Sequence, residues 1–343
     1  MNPRLSFVIP TYNRATTLTV ALDSILAQTV GLDDVEILVS DDASSDDTPR
    51  LLDLYRGRHP GVRTFRQATN LGLRHWQFLL GEARGDLVFV LCDDDAVPPD
   101  FLAHVLPAFD DPELGLLTGD IRLRGPRFDP LRVLTTPTPV GPADGPTRCR
   151  EQLRSHHMVM ATVYRRSVLT AAGGWDPTVG THFDCTAYCR SALRSRRTLK
   201  LDRPLLEFRI SPGSWSHRLT REAQRRLAEW YRRKLDLLRA DAAELAPDLE
   251  PFLNGMYRGH ARTVAIGLET ELTLGRLPPA DARRALAELT AVFPEASADR
   301  VVWKVWACTH LGTGWLRRAR RLLGRPEPAD SALALFNSFG PAP

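Results

Sequence analysis

Three consecutive carboxylates, Asp93-Asp94-Asp95, follow the apolar run Leu87 to Leu91. Placed together at the end of a buried strand they repel one another, and a cation relieves that repulsion. Hard oxygen donors of this kind favour Mg2+ or Mn2+, ions that keep several waters and also bind substrate phosphates. The competing reading is a solvated acidic turn. Two further polar clusters close apolar runs in the same way: Thr11-Tyr12-Asn13-Arg14 after Leu5 to Ile9, and Asp41-Asp42 after Val35 to Val39. No Gly-x-x-x-x-Gly-Lys loop and no Gly-x-Gly-x-x-Gly turn is present, so phosphate cradling by either loop is excluded. Binding of a diphosphate then relies on the cation and on basic side chains such as Arg74.

The elements that must position these residues alternate. Leu5 to Ile9 is predicted as a buried strand, and Leu18, Leu22, Ile25 and Leu26 give a helical face after Arg14. The second strand, Val35 to Val39, precedes a helix with Thr48 as its expected cap and Pro49 in its first position. A weaker strand follows at Val62 to Phe65, then a helix over 73–84, the strand Leu87 to Leu91, and a helix opened by Pro98-Pro99-Asp100. Such β-α alternation predicts an α/β fold with a mostly parallel central sheet flanked by helices. Ligands in such sheets sit beyond the carboxyl ends of the strands, where all three polar clusters lie.

Residues 125–147 are rich in Pro and Gly and are expected to form a long loop over the site. Met158 to Tyr164 reads as a strand, Gly173-Gly174 ends a short helix, residues 182–195 form another helix, and Leu205 to Ile210 is the last strand. From about Leu219 to 325 the chain is expected to be helical, and 326–343 loose. The domain expectation is therefore a first part, 1–217, itself divided into 1–124 and 148–217, followed by a helical region 218–325 and the loose tail 326–343.

The ordered set of short motifs resembles family 2 glycosyltransferases with the nucleotide-diphosphosugar transferase (GT-A type) fold. It comprises Phe7-Val8-Ile9-Pro10-Thr11-Tyr12-Asn13-Arg14, Val39-Ser40-Asp41-Asp42-Ala43-Ser44-Ser45-Asp46-Asp47-Thr48, Asn70-Leu71-Gly72, Ala83-Arg84-Gly85-Asp86, Asp93-Asp94-Asp95, Arg165-Arg166-Ser167-Val168-Leu169 and Gly173-Gly174-Trp175-Asp176. Trp76-Gln77-Phe78 and Leu91-Cys92-Asp93-Asp94-Asp95 resemble the bacterial abequosyltransferase type. The resemblance spans about residues 4–217 and implies a catalytic domain 1–217 with a donor half 1–124 and an acceptor half 148–217. It implies an inverting transfer of a sugar from a nucleotide diphosphosugar to an acceptor hydroxyl, with Mg2+ or Mn2+ as cofactor. Pro10, Thr11, Tyr12, Arg14 and Asp41 are then expected around the nucleobase and ribose, with Asp42, Asn70 and Arg74 also on the donor side. Asp93 is expected near the ribose or diphosphate, and Asp94 and Asp95 at the metal, Asp95 in direct contact.

The sequence departs from the family pattern in places. Cys92 stands where the family has an aspartate, and a thiol is a poor ligand for magnesium. The family's general base comes from an acidic pair that here reads His182-Phe183-Asp184, leaving Asp184 as the candidate, against a helix-capping alternative. Ser211 occupies the place of a family histidine. His217, the nearest histidine, is either a shifted metal or diphosphate ligand or a surface residue. A glycan, a lipid-linked molecule or a small natural product is the expected acceptor, and a nucleotide-sugar-binding protein without catalysis is the alternative from another class.

Composition sets outer limits. A 43% apolar and 25% charged chain of 343 residues has ordinary globular proportions. Its 45 basic and 41 acidic residues nearly cancel, so a nucleic-acid partner is not expected. The odd set Cys92, Cys149, Cys185, Cys189 and Cys308 reads as reduced thiols, and Cys185 with Cys189 as two buried thiols in preference to zinc ligands. No signal peptide and no run of roughly 18 apolar residues is found, so a cytoplasmic protein is expected. Trp315, Leu316, Ala319, Leu322 and Leu323 opposite Arg317, Arg318, Arg320 and Arg321 make a basic amphipathic helix. Such a helix either lies on the inner face of an anionic membrane or packs on the protein.

Overall fold

A computed structural model of the chain describes residues 2–155, 157–210, 221–256 and 278–293, with Ala265, Leu268, Leu272, Trp303, Val305, Trp306 and Ala307. His217, the Trp315–Leu323 helix and the 326–343 tail lie outside the described residues. The chain divides into two compact units, Met1–Arg218 and Leu219–Pro343.

In the first unit the expected alternation is present. It runs β1 (Leu5–Thr11), α1 (Ala15–Leu26), β2 (Val35–Asp41), α2 (Thr48–Arg58), β3 (Val62–Arg66), α3 (Arg74–Glu82), β4 (Leu87–Val90) and α4 (Phe101–Ala108). Then follow β5 (Leu114–Arg124), β6 (Pro130–Leu134), β7 (Gly141–Ala143), α5 (Gly145–Ser155), β8 (Thr162–Arg165), α6 (Arg166–Ala171), α7 (Phe183–Leu193) and β9 (Arg197–Arg209). The strands form one sheet in the order β3-β2-β1-β4-β8-β5-β9-β7, with β6 paired to β5. Strands β1 to β4 are mutually parallel, β8 runs antiparallel between β4 and β5, and β9 is parallel to β5.

The parallel strands are apolar because helices cover both faces. Every residue of Leu5–Ile9 and of Leu87–Val90 is buried. Phe7, Phe89 and Phe101 meet with ring centroids 4.8 to 5.9 Å apart, pinning β1 and β4 to α4. At the amino ends of these strands Glu36 accepts from the Ser6 hydroxyl at 2.6 Å, from the Arg84 N–H at 2.6 Å and from Arg63 at 2.9 Å. The Ala83-Arg84-Gly85-Asp86 motif therefore sits at the end of the sheet opposite the carboxylates. Gly85 is required there because a Cβ would come 2.6 Å from Ser6 Oγ.

The structure corrects three local expectations. Residues 125–147 are not one long loop: they hold β6, β7 and the start of α5. Strand β5 has no counterpart in the pattern reading because Gly115 and Gly119 interrupt it. Both are packing glycines, since a Cβ would lie 2.0 Å from Ser195 Oγ and 2.5 Å from Leu205. Thr48 is the first residue of α2 and Asp47 takes the cap position; the Thr48 hydroxyl accepts from the Arg14 N–H at 3.2 Å.

The β5–β9 half carries a buried ionic frame. Lys200 and the Asp120 carboxylate pair at 2.7 Å, both nearly inaccessible, and Asp120 also accepts from the Thr136 N–H at 3.1 Å. The Arg148 guanidinium, buried, donates to the carbonyls of Pro139 and Gly141 and to Thr198 Oγ1. These contacts fix the irregular segment between β6 and α5 on the sheet.

The second unit contains α8 (Arg221–Leu245) and a helix at Pro279–Val292. Leu235, Leu238, Leu249, Leu253, Leu286, Leu289 and Phe293 are buried in it. No helix among the described residues is long and apolar enough to cross a membrane.

Candidate active site

The carboxyl ends of β1, β2 and β4 bring the predicted polar clusters together. Thr11 pairs in register with Asp41, and the Asp42 N–H donates to the Thr11 carbonyl at 2.9 Å. The two loops that follow are laced to each other. Asn13, in the left-handed region at φ 54°, receives the Ser45 N–H at 2.8 Å on its side chain and donates its own N–H to Ser44 Oγ at 2.8 Å. Asp41 accepts from the Ser44 N–H at 3.0 Å through Oδ1. Its Oδ2 is buried without a hydrogen-bond partner and lies 3.7 Å from the Arg66 guanidinium. Tyr12, at the end of this corner, is 48% exposed.

Asp42 has a different position. Its oxygens accept from the N–H groups of Leu71 at 2.7 Å and Gly72 at 3.1 Å, which closes the Asn70-Leu71-Gly72 turn. Asn70 accepts from the same Gly72 N–H at 3.0 Å. Gly72, at φ 57°, supplies the left-handed backbone of that turn. Arg74 begins α3 directly behind it and is exposed.

The acidic triplet is largely withdrawn from water. Asp93 and Asp94 side chains are 13% exposed and lie 3.9 and 3.8 Å from Arg14. The Tyr12 N–H donates to Asp93 at 3.3 Å. Burial, with the neighbouring Asp94 charge, pushes Asp93 up to about 7. Burial raises Asp94 too, against the opposing pull of Arg14 and Arg209. Asp95, fully buried, is raised well above the usual carboxylate range by burial and then by Asp94. Its Oδ1 accepts from the Arg209 N–H at 2.9 Å, and its Oδ2 has no partner. Burial likewise raises the Cys92 thiol, reinforced by the triplet and by Asp184.

These residues fit a divalent cation in one specific way. The donors are hard oxygens, and Asp95 Oδ2 is a buried acceptor with nothing to accept from. No group of three or more His, Cys, Asp and Glu side chains converges on a metal-sized site among the described residues. An ion held here takes few protein ligands and leaves positions for water and phosphate, as Mg2+ and Mn2+ do.

Asp184 is the second residue of α7, its charge acts on Cys92 beside the triplet, and the cap position belongs to His182. Asp184 serves the helix start from inside the first turn: its Oδ1 accepts from the adjacent Cys185 N–H at 2.6 Å, while His182 makes no side-chain cap bond. Trp76 of α3 meets Phe183 at 4.7 Å and Trp175 at 5.8 Å. Gln77 accepts from the Trp175 N–H at 2.9 Å, across from Gly174 at φ 67°. Helix α3 thus ties the Gly173-Gly174-Trp175-Asp176 turn and the start of α7 to the carboxylate side.

Two basic residues at this site escaped the sequence reading, Arg66 and Arg209. Arg209 ends β9 beside Asp95 and faces Asp94 and Asp95 electrostatically. The sequence signal for Arg209 is its place two residues before Ser211, which stands where the family has a histidine. Nothing local marks Arg66: only the β2–β3 pairing of Asp41 with Arg66 brings it in.

Residues 6–172 match the family model described as Glycosyl transferase family 2. The chain is 38% identical over 101 residues to abequosyltransferase RfbV of Salmonella typhimurium, covering 29% of this chain and 30% of that protein. It is 38% identical over 119 residues to the succinoglycan biosynthesis protein ExoO of Rhizobium meliloti, covering 32% and 30%. The matches thus span about a third of the length of these relatives. Among solved structures, S. aureus TarS 1–349 in complex with UDP-GlcNAc superposes with a TM-score of 0.66 at 16% identity, covering 95% of this chain and 94% of that one. Mannosyltransferase PcManGT from Pyrobaculum calidifontis, in complex with GDP-Man and Mn2+, gives 0.51 at 18% identity, covering 90% and 87%. The fold is the GT-A type, with a mixed central sheet flanked by helices.

Proposed function

We propose, from the match of residues 6–172 to the family 2 glycosyltransferase model, that this chain is a glycosyltransferase of that family and transfers a sugar from a nucleotide diphosphosugar to an acceptor hydroxyl with inversion. The observation that carries the reading is the convergence of Thr11, Asp41 and Asp93–Asp95 at three adjacent strand ends, with Arg14 and Arg209 beside the carboxylates. Asp41 Oδ2, buried and lacking a donor, suits an N–H of a nucleobase, and the exposed Tyr12 ring suits its face. Pro10 and Thr11 line the same corner. Asp42 and Asn70 shape the turn that presents Arg74 toward the donor. Asp93 is assigned to the ribose or diphosphate, and Arg14 and Arg209 to the negative charge of the diphosphate.

Asp95, with Asp94, would hold Mg2+ or Mn2+, which supplies positive charge opposite the leaving diphosphate. His217 remains a candidate further ligand. Asp184 takes the proton of the acceptor hydroxyl as its oxygen forms the new bond to the anomeric carbon. The bond from that carbon to the diphosphate oxygen breaks, and its electron pair leaves with the nucleoside diphosphate. Arg14 and Arg209, fixed before the reaction starts, stabilise that charge without reorganising.

The names of the relatives, an abequosyltransferase and a succinoglycan biosynthesis protein, support a reading in which the acceptor is a glycan or lipid-linked molecule of bacterial surface glycan synthesis, with a small natural product as the second substrate reading. The favoured location is the cytoplasm, with peripheral contact through the basic Trp315–Leu323 segment. The test is a panel of UDP-, GDP- and dTDP-sugars incubated with the chain and Mn2+ and read by mass spectrometry. Release of nucleoside diphosphate from one donor is the expected result. Binding of a donor with no turnover on any acceptor or water would favour a nucleotide-sugar-binding protein instead.

A further inference from the structure

The β5–β6 connection carries a strained aromatic residue beside the site. Phe128 stands at φ 65°, in the left-handed region that a bulky side chain rarely adopts. Its turn is closed by the Phe128 N–H donating to Gly125 at 2.9 Å and the Gly125 N–H donating to Asp129 at 2.8 Å. That backbone sets the ring under two guanidinium groups: Arg209 is 4.9 Å from its centroid and Arg124 is 5.6 Å. Strain of this kind persists only where surrounding contacts over-determine it, and it concentrates at functional sites.

The two arginines are not equivalent. Arg124 is ion-paired with Glu207, which also pairs with Arg122. Glu207 is itself anchored by the backbone bridge to Ala96, the residue after the triplet. Arg209 has its backbone N–H on Asp95, but its side-chain Nε is buried with no acceptor. A buried donor without an acceptor, on a guanidinium beside an anion-binding crevice, is completed by an anionic ligand. The ring holds that guanidinium in place while Glu207 occupies its neighbour.

We propose that Phe128 is a positioning residue that fixes the Arg209 guanidinium for the diphosphate of the donor, at the expense of a strained backbone in the β5–β6 turn. This rests on the glycosyltransferase reading and extends it to a residue outside the motifs that define the family resemblance. An aromatic face holds a guanidinium without competing for its N–H groups, which a carboxylate partner would do.

The experiment uses the full chain and titration calorimetry with UDP, GDP and dTDP in the presence of Mn2+. Phe128→Gly removes the ring and accepts the left-handed backbone. It is expected to weaken nucleoside diphosphate binding about tenfold while the thermal midpoint holds or rises. Phe128→Trp keeps a ring and should restore binding. In an Arg209→Gln background, Phe128→Gly should cost nothing more, because the ring acts through that side chain. Wild-type affinity in Phe128→Gly, or losses that simply add in the double variant, would overturn the proposal and leave the glycosyltransferase reading standing. If the unaltered chain binds none of the three nucleotides, the donor reading fails first and this proposal fails with it.

Discussion

The carboxylates at the end of β4 are held in a state that costs energy without a counter-charge. Asp95→Asn keeps the hydrogen bond from Arg209 but lowers the charge available to a cation. Transfer should fall by about 100-fold or more with Mn2+-dependent donor binding weakened, while the chain stays folded; full activity in excess chelator would refute the metal assignment. Asp93 gives a pH signature. Its ordinary value of 3.8 rises to about 7 in the fold. The folded state therefore binds the proton more tightly than the unfolded chain, and this contribution to stability is complete below about pH 4 and is lost as pH rises through 7. Metal-free thermal midpoints should fall more steeply over that window in the wild type than in Asp93→Asn, and parallel profiles would contradict this. Asp184→Asn separates chemistry from binding. Turnover should drop by about 10²- to 10⁴-fold, with nucleoside diphosphate affinity unchanged by calorimetry. The Asn side-chain oxygen can still accept from the Cys185 N–H, so the thermal midpoint should change little.

At the scale of elements, the strand ends act as a jig and the opposite ends of the same strands hold it together. The Glu36 knot joins β1, β2, β3 and the loop before β4 through Ser6, Arg63, Arg84 and Gly85. Burial alone would raise Glu36, but the Ser6 hydroxyl, the Arg84 N–H and Arg63 together hold it below its usual value. The other half depends on Lys200 and Asp120, buried between β9 and β5. Removing one partner strands the other in the interior, so Lys200→Met should destabilise the chain by about 3–5 kcal/mol in urea unfolding. The double variant Lys200→Met with Asp120→Leu should recover most of that loss. A single-variant loss under about 1 kcal/mol would show that water reaches the pair.

For the whole molecule, the division at Arg218 and Leu219 leaves every donor residue discussed here in the first unit. A chain ending at Arg218 is expected to unfold in one cooperative transition and to retain nucleoside diphosphate affinity within about threefold. Loss of cooperative unfolding would show that the first unit needs the rest of the chain. The sequence by itself determined the β-α alternation, the identity of β1, β2 and β4, and the polar residues that end them, because parallel strands buried on both faces read as unbroken apolar runs. Asp184 enters through the family resemblance, by its place after Gly173-Gly174-Trp175-Asp176, and its role is a proposal. Pairing across the sheet decided the rest. Strand β5 was hidden because Gly115 and Gly119 answer to Ser195 and Leu205, far away in the chain. Strand β6 does alternate, at Leu131, Arg132 and Val133, but Leu131 and Val133 are exposed, so the short alternation corresponds to no buried face. Arg66 and Arg209 became site residues only where β3 meets β2 and where β9 passes Asp95, and Phe128 only where its backbone turns under Arg209. Local patterns record which face of an element is buried; they do not record which distant charge that face will meet.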